Sequence, residues 1–272
     1  MGGLHGNRSR TSDGVDVSFR GLHGFVRHSV LERTCARDLG DAFELGYRLA
    51  ASDETRASYP WEFELSIAYT LRAGRLDTTM TVRNEGGRPM PYQIGWHPGF
   101  RTPLVSGTKR DCRLCLPAGV VRWANDADCH LTGESAPVDG PGDFPLDEAQ
   151  LDATYMLDLS AVPPARRVAT IVDPDGSAGV RVGFPDFPHL GLWSDADAPF
   201  LCIEPWQGMD DRVVQEPFDR KFGIATLAPG GIDTTLNRTR LWLVAVPESL
   251  LAGLISMVVA APAVVVCLSF WM

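Results

Sequence analysis

Hydrophobic and polar residues alternate over long parts of this chain, most clearly in its first third. Residues 63–71 place an apolar side chain at every second position, which predicts a half-buried β-strand. Residues 76–82 repeat the same period of two after a short segment, 72–75, that contains Gly and Arg. Two such runs joined by a short turn predict a β-hairpin.

Further short apolar runs indicate that the sheet continues through the second half of the chain. They lie at residues 169–172, 180–184 and 190–193, with Gly, Pro and Asp between them. Helical periodicity is scarce before residue 240. We therefore predict an all-β domain, organised as a sandwich, over residues 15–236. Residues 1–14, rich in Gly, Ser, Arg and Asp, are expected to form a flexible lead.

The pattern changes in the tail, residues 237–272. Residues 249–272 contain no charged side chain and are long enough to cross a bilayer as an apolar helix. Arg238 and Arg240 precede them, so the positive-inside rule would place the folded domain in the cytoplasm, anchored by this helix. Two alternatives stay open. The tail could be a buried core helix, or it could be foreign to this domain through an altered reading frame or a gene fusion.

Composition narrows the choice of partners. The 272 residues carry a net charge of -9, which argues against a general nucleic-acid binder. The acidic balance also disfavours strongly anionic substrates, although a local arginine cluster could override it. Six cysteines are too few for a small disulfide scaffold, and a reducing compartment is the simpler expectation.

Candidate chemistry concentrates in residues 92–100, where a histidine stands among aromatic and backbone-shaping residues. His97 follows Trp96 and precedes Pro98, which favours an extended backbone at the histidine. The stretch is either a site or a packed strand end in which His97 caps a carbonyl. His23, followed by Gly24 and an aromatic, is expected to lie on a second loop of the same site.

A second cluster, residues 200–208, delivers one carboxylate within an apolar strand. Burying Glu204 is costly without a partner or a role, so it is either paired with an arginine or functional. A desolvated carboxylate that faces the imidazole of His97 supplies a general base and a general acid in one pocket. Trp96 and Trp206 are then available to stack on a sugar face.

Four sequence strings resemble those of one enzyme family when they are taken together and in order. They are HGF at 23–25, YQIGWHPGF at 92–100, FPHLGLWS at 187–194 and APFLCIEPWQG at 198–208. The chain is similar to the aldose 1-epimerases (galactose mutarotases), especially their LacX-like branch. This resemblance implies an antiparallel β-supersandwich that interconverts the α and β anomers of a free aldose, without a cofactor or metal.

The resemblance also assigns roles. It implies that Glu204 is the general base, that His97 is the general acid and that His23 contacts the sugar near its reacting end. Asp152 is the best match for an aspartate that binds sugar hydroxyls. Arg101 is either a substrate contact or a solvated surface residue.

The chain departs from the family pattern at both ends. Relatives have several strands, and a substrate-contacting arginine, ahead of the HGF motif, so the front strands are expected to be missing here. The tail leaves the pattern as well. The alternative function is therefore a non-catalytic carbohydrate-binding domain, either free or tethered to a membrane by residues 249–272. The sequence gives no basis for an oligomeric state.

Overall fold

The computed structural model of the chain describes residues 4–138, 143–146, 154–195 and 198–243, and β-strands dominate these ranges. The strands are β1 (Arg8–Arg10), β2 (Asp16–Ser18), β3 (Glu32–Asp38), β4 (Phe43–Ala50), β5 (Phe63–Arg72), β6 (Arg75–Asn84), β7 (Met90–Tyr92), β8 (Gly99–Arg101), β9 (Arg113–Cys115), β10 (Val121–Asn125), β11 (Leu131–Pro137), β12 (Asp143–Pro145), β13 (Tyr155–Asp158), β14 (Val168–Val172), β15 (Ala178–Gly183), β16 (His189–Trp193), β17 (Phe200–Trp206), β18 (Ala225–Leu227) and β19 (Ile232–Leu243). Within the same ranges, helices are short: α1 (Asp53–Arg56) and 3₁₀ turns at His5–Asn7, Val26–His28, Lys109–Asp111, Pro164–Arg166 and Phe218–Arg220.

Two antiparallel sheets account for most of the described strands. A nine-stranded sheet has the order β12-β9-β14-β15-β19-β6-β5-β4-β3, and a six-stranded sheet has the order β11-β10-β13-β16-β17-β8. The predicted hairpin is confirmed, because β5 and β6 pair from Phe63 opposite Asn84 to Arg72 opposite Arg75. The predicted all-β class is confirmed with it.

The core lies between the two sheets and follows from the alternation of side chains along each strand. Leu65, Ile67 and Val180 point inward from the nine-stranded sheet, and Leu190 and Ile203 point inward from the six-stranded sheet. All five are at most 1% exposed and belong to one apolar cluster. The result is the sandwich predicted from the sequence. Because neighbours in a strand point to opposite faces, the residues between these positions face away from the core.

The structure corrects both predicted domain boundaries. Part of the expected flexible lead is a strand, since β1 pairs with β2, and Leu4 is only 5% exposed in the main apolar cluster. A single leucine has no periodicity, so the sequence pattern gave no sign of its burial. At the other end, the boundary expected at residue 236 falls inside β19, which pairs with β15 as far as Leu243.

The predicted apolar helix at residues 249–272 lies outside the described residues. Among the helices of the described ranges, none combines the length and the apolar character that a membrane crossing requires.

Candidate active site

The backbone register of strand β17 brings His97 and Glu204 together. Gly99 pairs with Cys202 on one side, and Gly95 pairs with Trp206 on the other. Both pairs have the same register, so His97 stands directly opposite Glu204 on the intervening segment. Backbone hydrogen bonds hold the alignment: the Trp96 amide donates to the Pro205 carbonyl at 3.0 Å, and the Ile203 amide donates to the Pro98 carbonyl at 3.2 Å. Directly opposed side chains on one face of a sheet lie close enough to interact.

The two side chains form a close, desolvated pair. His97 Nε2 lies 3.1 Å from Glu204 Oε1, with the side chains 11% and 0% exposed. Burial lowers the pKa of His97, and the neighbouring Glu204 carboxylate opposes this effect. A carboxylate and an imidazole in contact can move a proton in either direction, which is the requirement for paired general acid and base chemistry.

His23 completes a cluster of three titratable groups. Its ring centroid lies 5.0 Å from that of His97, edge to face. The loop that carries the HGF string and the segment of residues 92–100 are therefore in contact. The His23 backbone has a φ of +70°, a left-handed conformation that non-glycine residues adopt at an energetic cost. Burial lowers the pKa of His23 to about 2. His23 is therefore neutral near pH 7, and its ring can donate or accept a hydrogen bond.

Cys202 adds a thiol that the sequence analysis did not single out. It lies two residues before Glu204 on the same face of β17 and is 4% exposed. The Cys202 thiol, the His97 imidazole and the Glu204 carboxylate each offer one donor atom, and these atoms lie within 4.8 Å of one another. Sulfur, nitrogen and oxygen donors in one cluster match the preferences of Zn²⁺. The period of two in a strand over residues 200–206 was the sequence signal that places Cys202 on the same face as Glu204.

The structure contradicts the expected stacking role of Trp96 and Trp206. They are 2% and 1% exposed, so neither ring offers a free face. Trp206 lies over Gly191, where an added Cβ would be only 2.6 Å from the indole Cζ2. Gly95 is equally tight, with an added Cβ 2.8 Å from the indole Cδ1. Both glycines are needed so that this indole can pack against the sheet.

Trp193 occupies the position that a stacking platform would need. It is partly exposed, pairs directly with Cys202 across β16 and β17, and has its ring centroid 6.4 Å from that of His97. Phe200 packs against it at 5.5 Å between ring centroids. This tryptophan lies in the FPHLGLWS string, whose sequence did not by itself indicate a role for it. Trp193 lies two residues after Gly191 on β16. This spacing was the sequence signal that places Trp193 on the same sheet face as Glu204.

The two remaining candidates have different outcomes. Arg101 is exposed at the end of β8, where it pairs with Phe200 on the strand that carries Glu204. Its register places it on the same face as Cys202, because Gly99 and Arg101 are two residues apart. Asp152 lies outside the described residues, and its assignment stays a prediction.

A partly buried polar network anchors the segment that carries His97. The Tyr92 hydroxyl donates to the Asp233 carboxylate, which also accepts a hydrogen bond from Gln207 Nε2 at 3.1 Å. The backbone N–H of Gln207 in turn donates to the Ile94 carbonyl at 2.9 Å. The network ties both ends of the site to β19, so His97 and Glu204 are held by the sheets and not by mobile loops.

Fold and site together define a class: a mutarotase-like β-sandwich with a buried His97–Glu204 pair on the sheet face turned away from the core. Comparison with known families agrees. Residues 17–233 match the model of the Aldose 1-epimerase family. The chain belongs to this family.

Relatives and solved structures support the assignment. The chain is 32% identical over 207 residues to the chromosomal LacX protein of Lactococcus lactis, an alignment that covers 70% of this chain and 65% of LacX. The chain thus spans about two thirds of that relative. A galactose mutarotase related enzyme from Lactobacillus acidophilus superimposes with a TM-score of 0.79 at 23% identity, covering 89% of this chain and 80% of that one. A galactose mutarotase-like protein from Lactobacillus casei gives a TM-score of 0.75 at 24% identity, covering 89% and 82%.

Proposed function

We propose that this protein is an aldose 1-epimerase that interconverts the α and β anomers of a free aldose. The observation that carries the proposal is the 3.1 Å contact between His97 Nε2 and Glu204 Oε1, on the sheet face turned away from the core. Membership of the family supports the reaction class. The pair supplies what ring opening needs, namely one proton acceptor and one proton donor beside the same carbon.

In the proposed reaction, Glu204 takes the proton from the anomeric hydroxyl while His97 gives a proton to the ring oxygen. The bond between the anomeric carbon and the ring oxygen breaks, and the electron pair of the former O–H bond forms the aldehyde carbonyl. Rotation about the adjacent carbon–carbon bond presents the other carbonyl face. Ring closure returns one proton from Glu204 to the carbonyl oxygen and one from the ring hydroxyl to His97, so the enzyme ends as it began.

The lowered pKa of His97 has a consequence for this assignment. Burial makes the imidazolium a stronger acid than an exposed histidine, which favours proton transfer to a weakly basic ring oxygen. It also reduces the protonated fraction near neutral pH. The mutarotation rate is therefore expected to rise as the pH falls from about 8 to about 6.

Three further residues are proposed to position the sugar. Trp193 offers a partly exposed indole face beside the pair, suited to the apolar face of a pyranose. His23, neutral through burial, can hydrogen-bond a hydroxyl near the reacting end. Arg101 lies at the open end of the same face. Trp193→Ala should raise KM more than it lowers kcat, because stacking contributes binding that is shared by the ground state and the transition state.

Polarimetry on freshly dissolved α-D-glucose and α-D-galactose tests the proposal. Wild-type protein should accelerate mutarotation, and Glu204→Gln or His97→Gln should each lower kcat by roughly 10²-fold or more. Glu134→Gln, an exposed carboxylate on β11, is the matched control and should retain the wild-type rate. Folded wild-type protein that is no faster than the buffer blank would refute catalysis. Calorimetric sugar binding with that result would favour the non-catalytic carbohydrate-binding domain.

A further inference from the structure

Four arginines form a continuous row across the nine-stranded sheet. Arg181 on β15 pairs directly with Arg240 on β19, and Arg240 pairs directly with Arg75 on β6. Arg75 in turn pairs directly with Arg72 on β5. Neighbouring strands are about 4.8 Å apart, so the row spans about 14 Å. We call these four residues the arginine row.

The row lies on the outer face of its sheet. Its residues alternate with core positions: Val180 and Val182 flank Arg181 and are fully buried, whereas Arg181 itself is exposed. The acid–base pair lies on the outer face of the other sheet. The whole core therefore separates the arginine row from His97 and Glu204, and the row is no part of the proposed active site.

Charge within the row is only partly balanced. Asp77 accepts hydrogen bonds from Arg75 and, at 3.1 Å, from Arg238 Nε. No carboxylate of the described residues forms an ion pair with the other three arginines of the row, which are all exposed. Like charges placed directly opposite one another destabilise a sheet. A row of this kind, in a protein whose net charge is -9, is costly unless an anion offsets it.

The row also borders a recess that can hold a ligand. A surface cavity of about 720 Å³ is lined by all four arginines, together with Asp41 and Thr170. Thr170, which lies on β14, pairs with Arg181 and extends the row by a hydroxyl donor. Guanidinium groups present planar pairs of N–H donors that match phosphate oxygens bidentately. The recess thus combines volume, several positive charges and several N–H donors.

We propose that the arginine row is a binding site for a ligand that carries two or more phosphate groups. Two of the exposed guanidinium groups without a described ion pair, Arg181 and Arg240, are on neighbouring strands, and the third, Arg72, is two strands beyond Arg240. This spacing favours an anion with several charges. One phosphate group could bridge Arg181 and Arg240 while another contacts Arg72 and Arg75. Free polyphosphorylated molecules and the headgroups of anionic lipids that carry two phosphates share this chemistry.

Thermal unfolding of the full chain with added sodium pyrophosphate tests the site. Pyrophosphate should raise the Tm of wild-type protein in a concentration-dependent manner, because a ligand that binds the native state stabilises it. The variant Arg181→Gln/Arg240→Gln should bind pyrophosphate at least about tenfold more weakly, since charged hydrogen bonds are lost. This variant should also fold, because it removes two like charges that lie directly opposite each other on neighbouring strands. The control Arg33→Gln/Arg83→Gln removes the same charge elsewhere on the sheet and should respond like wild type.

A second arm distinguishes the two ligand sources. The wild-type chain, the row variant and the control are sedimented with phosphatidylcholine vesicles, with and without cardiolipin, whose headgroup carries two phosphates. Cardiolipin-dependent binding that is lost only in the row variant, without a pyrophosphate effect on Tm, assigns the site to lipid headgroups. A pyrophosphate shift lost only in the row variant assigns it to soluble ligands. If the row variant matches the control in both arms, the proposal is wrong.

Discussion

Burial of His23 should make the protein less stable in mild acid. Its pKa falls from 6.5 to about 2 because burial penalises the charged ring. Below pH 6.5 the unfolded chain takes up a proton at this position, whereas the folded chain stays neutral until about pH 2. The contribution of neutral His23 to the free energy of unfolding is thus fully present above pH 6.5 and is lost as the pH falls. Integrated to about pH 5, the loss from this one group is roughly 2 kcal/mol.

The variant His23→Asn isolates this contribution. Asparagine tolerates the left-handed backbone at this position, so the loop geometry is preserved. Urea unfolding at about pH 7.5 and about pH 5 should give a drop in unfolding free energy that is roughly 2 kcal/mol smaller in the variant than in wild type. Burial also lowers the pKa of His189, which remains in each protein, so its effect cancels.

The control for this measurement is His28→Asn, which replaces an exposed histidine in the same loop region and should leave the pH dependence as in wild type. If His23→Asn shows the same drop between the two pH values as wild type, His23 is not held neutral by burial. The electrostatic description of the site would then be wrong.

Two further predictions concern side chains beside the acid–base pair. Micromolar Zn²⁺ should slow mutarotation reversibly by occupying the His97, Cys202 and Glu204 donors, with recovery on adding EDTA. Cys202→Ser should weaken this inhibition, and unchanged inhibition in that variant would exclude the thiol as a ligand. Gly191→Ala should lower the unfolding free energy by about 1–3 kcal/mol, because its Cβ would meet an indole carbon at 2.6 Å. Denaturant unfolding measures this, and Gly87→Ala, with nothing within 4 Å, should cost less.

The sequence predicted what depends on local pattern. The period of two between residues 63 and 82 specifies a hairpin, because a half-buried sheet accepts only alternating side chains. The paired strings around His97 and Glu204 were enough to propose a meeting between a base and an acid. The direct opposition of the two residues was not predictable, because it depends on the register between two segments that lie far apart in the chain.

Tryptophan roles show where the sequence pattern was insufficient. Trp96 and Trp206 adjoin the acid and the base in sequence, which suggested stacking on substrate. Adjacent residues in a strand point to opposite faces, so Trp96 cannot share the face of His97. Trp206 does share the face of Glu204, but Gly191 lets its indole pack down onto the sheet. The tryptophan proposed to stack on substrate is therefore Trp193, which lies on the neighbouring strand, and not one that is adjacent in sequence to His97 or Glu204.

The same reasoning explains why net charge alone could not locate a local arginine cluster. A net charge of -9 disfavours anionic ligands only if charge is spread evenly, and the register of four strands concentrates positive charge in one row. Arg72 and Arg75 are neighbours in sequence, whereas Arg181 and Arg240 come from distant strands. Sheet formation therefore creates the arginine row just as it creates the acid–base pair, on opposite outer faces of one sandwich. Binding at the row can be tested separately from the proposed mutarotation, because the two faces share no residue.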